Sequence, residues 1–160
     1  MAFVNRLRMT LQGRKMEEQN TMDQEMNKKL QAVIELCEEG DPEMCAFLGK
    51  EFYFGMNVEQ DLDRALRYLT VAAKDGDAMS QFLVGFMNWS GRGTEQNLDK
   101  ALDWFLLAAG QGIPEAMYNV ANILMVKDPE KNREEAVKWM KRSANAGYDA
   151  ARDALSDFED

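Results

Sequence analysis

Three segments share one pattern: ALRYLTVAAKDG at 65–76, ALDWFLLAAGQG at 101–112 and AVKWMKRSANAG at 136–147. They start 36 and 35 residues apart. A period of this size restricts a chain to stacked supersecondary units, each unable to bury its apolar face without a neighbour. The full units run 41–76, 77–112 and 113–147, the third one residue shorter than the others. Their columns make packing sense. Gly49, Gly85 and Ala121 align, as do Gly55 with Gly91, and Ala65 with Ala101 and Ala136. Tyr68, Trp104 and Trp139 form a further column, and Gly76, Gly112 and Gly147 close each unit.

Each unit reads as two helices. In the second unit Leu98, Ala101, Leu102, Phe105 and Ala108 follow the i, i+3, i+4, i+7 spacing of a helix with one apolar face. Asp61, Asn97 and Asn132 stand near the starts of these second helices as candidate N-caps. Gly76, Gly112 and Gly147 follow the last apolar residue, where a left-handed C-cap favours glycine. Small residues at 49, 85 and 121 would let the first helix approach its partner closely. The expected fold is all-α: an α/α solenoid of about three helix pairs, wound as a right-handed superhelix.

The pattern A-x-x-x-x-x-(L/V)-G-x-x-(Y/F)-x-x-G, a polar loop, then A-x-x-(W/Y)-x-x-x-A-A-x-x-G resembles the Sel-one-like repeat. That family is related to the tetratricopeptide repeats, whose period is about 34. The second unit matches best, through Ala78, Val84, Gly85, Gly91, Gly93, Ala101, Trp104, Ala108, Ala109 and Gly112. Asn88 departs from the expected aromatic, and Lys127-Asp128-Pro129 replaces the glycine-bearing loop in the third unit. The resemblance implies a bacterial adaptor in signalling, the envelope, secretion or host interaction.

The flanks read as caps. Residues 26–40 align with a second helix, with Leu30, Val33, Ile34 and Cys37 apolar, and 148–160 begin a further first helix. Solenoid ends need such covering. Residues 1–25 form a basic N-terminal segment: 1–16 hold Arg6, Arg8, Arg14 and Lys15 and no acid, or +4. The net charge of −9 therefore leaves −13 on the rest. An acidic body disfavours nucleic acid, whose binding depends on phosphate neutralisation; it either favours a basic protein partner through steering or serves solubility alone. Phe3, Val4, Leu7 and Leu11 give the basic segment an amphipathic character suited to a membrane surface or to an ordinary first helix. No apolar run is long enough to span a bilayer and the start is no secretory signal, so a cytoplasmic chain is expected.

The chain has no histidine, which removes the commonest general base and metal ligand. Gly91-Arg92-Gly93 lacks phosphate-loop spacing. Glu38-Glu39 and Glu134-Glu135 read as solvated charge. No enzyme, cofactor or metal is expected. Cys37 closes one helix and Cys45 opens the next, across Gly40. They read either as a disulfide or as two small buried thiols. A cysteine-rich secreted branch of the resembled family bridges adjacent helices at this spacing. In this chain the later equivalents are Ala73 with Gln81 and Ala109 with Met117.

In helix-pair solenoids the first helices line the concave face. Phe47, Lys50 and Phe54 form one stripe there, with Leu83, Phe86 and Ser90, then Asn119, Asn122 and Val126, as equivalents, and the apolar members read either as groove anchors or as core. Leu48, Val84 and Val120 point the other way. The expected function is a protein-interaction adaptor, monomeric or weakly dimeric, that takes a peptide or helix in this groove. The competing expectations are a small acidic neutraliser of a basic toxin or effector, a membrane-surface scaffold, and an enzyme using carboxylates or a thiol.

Overall fold

A computed structural model of the chain describes residues 16–17 and 24–159, with side chains described as far as Leu155. The remainder of the basic segment, 1–15 and 18–23, lies outside the described residues. The described chain is helical, and no strand occurs in it. The helices are α1 (24–38), α2 (Pro42–Phe54), α3 (Leu62–Asp75), α4 (Ala78–Ser90), α5 (Leu98–Gly110), α6 (Pro114–Lys127), α7 (Pro129–Asn145) and α8 (Asp149–Glu159). Two compact units divide the chain, Met1–Met44 and Cys45–Asp160. Within the second, helices adjacent in sequence pack on each other from α3 to α8. Short connections make such neighbours antiparallel.

The turn that closes each helix pair recurs in atomic detail. The N–H of Gly76 donates to Ala73 O and that of Asp77 to Ala72 O; Gly112 and Ile113 repeat this on Ala109 and Ala108. Gly147 and Tyr148 do the same on Ala144 and Ser143. In the first unit of the chain, Gly40 and Asp41 bond Cys37 and Leu36 in the same way. This Schellman arrangement needs a left-handed residue, and the four glycines have φ of 102°, 112°, 93° and 96° in chain order.

The helix starts are capped by short acceptors, which satisfy N–H groups that have no intrahelical partner. Asp61 accepts from Arg64 N at 2.9 Å, Asp77 from Ser80 N at 2.7 Å and Asn97 from Lys100 N at 2.9 Å. Asn132 is not the cap of α7. The shorter third connection is Asp128 alone, which accepts from Lys131 N at 3.0 Å, and α7 therefore starts earlier and contains Asn132. The sequence period remains visible in what Asn132 does. In the first two repeats the carbonyls of Phe52 and Asn88 accept from the backbone N–H of Asp61 and Asn97. In the third, the equivalent Leu124 carbonyl accepts from the Asn132 side-chain Nδ2 at 3.0 Å.

The core is lined by the repeated columns. Leu48, Val84 and Val120 are buried, as are Ala65, Ala101 and Ala136. A Cβ added to Gly49 would lie 2.6 Å from Leu69 Cγ and 2.9 Å from its backbone N, and one on Gly85 would lie 2.9 Å from the Phe105 ring. The glycines thus set how closely α2 approaches α3, and α4 approaches α5. At Ala121 the stack accommodates the methyl group, which is fully buried.

Candidate interaction face

On the first helices α2, α4 and α6 the residues expected to form one stripe differ in exposure. Phe47 is 47% and Phe54 55% exposed, high values for phenylalanine in a folded helix. Lys50, Phe86, Ser90, Asn119 and Asn122 are half-buried, and Val126 is exposed. Leu83 differs: it is only 4% exposed and belongs to the core. Helix α4 packs against both α3 and α5, so a broad arc of it is covered. Its accessible stripe instead runs through Met79, Phe82, Phe86 and Trp89, with Met79 and Trp89 exposed. The rings of Phe86 and Trp89 lie 5.4 Å apart and those of Phe82 and Phe86 6.4 Å apart, a continuous aromatic run along the helix. Phe82 and Trp89 lie outside the columns of Phe47, Lys50 and Phe54. The 79, 82, 86, 89 spacing of large apolar residues marks them in the sequence.

The polar groups on this side are mostly engaged. Lys50 Nζ lies 3.7 Å from Asp77 Oδ2. Partial burial raises the Asp77 carboxyl, but bonds from the Ser80 side chain and backbone, with the Lys50 charge, outweigh it and hold the group below its ordinary 3.8. Asn119 Nδ2 bonds back to Glu115 O at 2.8 Å. Lys127 is paired with Asp99. The Arg92 guanidinium lies 5.3 Å from the Tyr53 ring centroid. Burial pushes the Tyr53 phenol above its ordinary 10.0, and the Arg92 charge offsets part of that.

The loops after α2 and α4 are fastened to the helix ends by equivalent glutamines. Gln60 Nε2 donates to Tyr53 O and Gln96 Nε2 to Trp89 O, each at 2.7 Å. The first loop has a second anchor: buried Glu51 accepts from Asn57 N at 3.1 Å and from its Nδ2 at 2.8 Å.

Cys37 and Cys45 are both buried and each is disulfide-bonded, so neither is a free thiol. At the position equivalent to Cys45, Gln81 donates from Nε2 to Ala73 O at 3.1 Å and accepts from Gln111 Nε2 at 2.8 Å. A polar clasp therefore occupies the second repeat's version of that turn. Among the described residues no group of three or more Cys, Asp or Glu side chains is arranged to hold a metal ion. No described helix is long and apolar enough to cross a membrane.

Stacked helix pairs closed by one recurring turn, with an apolar face on the first helices, define a helical-repeat protein. The Sel1 repeat family matches three times, over 42–77, 78–113 and 114–148, and the chain belongs to that family. Similar solved structures include a Sel1 repeat protein from Oxalobacter formigenes, 26% identical with a TM-score of 0.67, covering 74% of this chain and 49% of that one. Another is c5321, a protective antigen present in uropathogenic Escherichia coli strains that displays an SLR fold. It is 28% identical with a TM-score of 0.71, covering 79% of this chain and 27% of that one. The present chain thus spans less than half of either relative. No curated protein matches it in sequence. Sel1 repeat proteins are generally helical scaffolds for protein–protein interaction and typically not enzymes.

Proposed function

We propose that this chain is an adaptor that binds a protein partner, as a peptide or helix, along the first helices of its repeats. The observation that carries the reading is the exposure of large aromatic side chains on the first helices: Phe47 and Phe54 on α2 and Trp89 on α4 lie open to solvent. Large exposed apolar side chains that cluster are interaction sites more often than scattered ones, and tryptophan and other aromatics dominate binding hot spots. Lys50, Phe86, Asn119 and Asn122 supply the half-buried remainder of the surface, and Leu83 supports it from beneath.

The test is affinity capture from the native organism with the wild-type chain beside a Phe47→Ser/Trp89→Ser variant, both checked for helicity by circular dichroism. A dominant protein retained by the first and lost by the second supports the reading. Equal capture by both would sink it. The flanking segments 26–40 and 148–160 are proposed to act as end caps. The pairing of Cys37 with Cys45 is part of the same proposal: two titratable thiols in denatured, unreduced protein would dismiss it. That titration also bears on compartment, because a bridge persists where the surroundings are oxidising and a cytosolic chain keeps thiols.

A further inference from the structure

The rim of the aromatic face repeats a second feature, one residue before each loop glutamine. Gln60 and Gln96 are pinned to the carbonyls of Tyr53 and Trp89. Their chain neighbours Glu59 and Glu95 are therefore held beside the C-terminal ends of α2 and α4, where Phe54 and Trp89 are exposed. Both carboxylates are exposed, and neither makes an ion pair among the described residues. The two ends adjoin, because Arg92 of the second loop lies over Tyr53. Of the cations bordering this surface, Lys50 is paired with Asp77 and Lys127 with Asp99, while Arg92 lies over the Tyr53 ring and keeps its charge, which Glu59 and Glu95 together outnumber. Each of two successive repeats thus presents one exposed aromatic side chain and one exposed carboxylate, Phe54 with Glu59 and Trp89 with Glu95, the carboxylates in equivalent positions and the aromatics one column apart.

Resting on the adaptor reading, we propose that the occupant of this face is a basic amphipathic segment of a protein, its apolar side on Phe54 and Trp89 and its Lys or Arg side chains on Glu59 and Glu95. Complementary charge at the edge of an apolar contact selects the partner and speeds encounter. A helix of this kind is a familiar groove ligand.

The experiment uses the full chain and synthetic amphipathic peptides of about 15 residues, a length sufficient for helix formation on binding. One has leucine on one face and arginine and lysine on the other. A second replaces the basic residues by glutamate, and a third scrambles the first. Affinity is measured calorimetrically for wild type, Glu59→Gln/Glu95→Gln and Phe54→Ser/Trp89→Ser, with helicity checked for each. The basic amphipathic peptide should bind at least about tenfold tighter than the other two, and the double glutamine variant should lose roughly three- to tenfold and most of the salt dependence. The serine variant should abolish binding. Equal affinity for basic and acidic peptides, or no change in the glutamine variant, overturns the basic-partner inference. If the serine variant still abolishes binding in that case, the face itself stands as the site. Binding that is indifferent to the serine variant overturns both readings, and failure of the basic peptide to bind at about millimolar concentration overturns this one.

Discussion

Gly49 and Gly85 occupy one column but do not tolerate a methyl group equally. At Gly85 the obstacle is the side chain of Phe105, fully buried and held by Phe82 at 5.7 Å between centroids. At Gly49 one obstacle is the backbone N of Leu69, which can yield only by moving α3. Alanine at either site should therefore destabilise by about 1–3 kcal/mol, with Gly49→Ala the worse. Urea denaturation of the two variants orders them, and a Gly49→Ala protein as stable as wild type contradicts the close-approach argument. Asp77 offers a titratable counterpart. Its carboxyl is held below 3.8 by Ser80 and Lys50 against the opposing effect of burial. A depressed folded pKa contributes stability above the unfolded value, and that contribution is lost as pH falls through the folded one. Asp77→Asn should therefore flatten the acid limb of the stability curve below about pH 4 while leaving its shape near neutrality unchanged. Denaturation midpoints between pH 2 and 7 test this.

At the scale of helices and turns, much could be read from the sequence, because the signals are local. Leu98, Ala101, Leu102, Phe105 and Ala108 lie on the apolar side of α5, with Ala101, Phe105 and Ala108 fully buried. The closing glycines adopt the left-handed conformation that their position demands. The third connection was illegible by column alone: with one residue deleted, the chain shifts its helix start to Asp128, a choice set by which acceptor can cap and not by the period. Asn132 then acquires the work of a backbone N–H. Replacing it with leucine removes one of the two hydrogen bonds to the Leu124 carbonyl, the other coming from the Asp128 N–H, and should cost about 1 kcal/mol. The loss should be absent when Arg133, exposed on the same helix, is replaced instead. Equal stability of the two variants by chemical denaturation contradicts it.

For the whole molecule, the repeat prescribed which helices face outward but not how each is rotated. Phe47 and Phe54 lie on the surface, whereas Leu83, in the column of Phe47, turns into the core and Trp89, from another column, is exposed. Rotation depends on the packing of both neighbours, information a single column does not contain. The turns have the opposite property. Their bonds recur at Gly76, Gly112 and Gly147 with the same donors and acceptors. Duplicating residues 77–112 in place should consequently give a chain that unfolds at a higher temperature, since each added unit contributes its own stability and one more interface. A lower midpoint would mean that the seams are not equivalent. If they are, lengthening such a protein requires no new joint, only another copy of an old one. The length of such a protein is then a matter of how many copies are joined, so that its exposed face can grow one helix pair at a time.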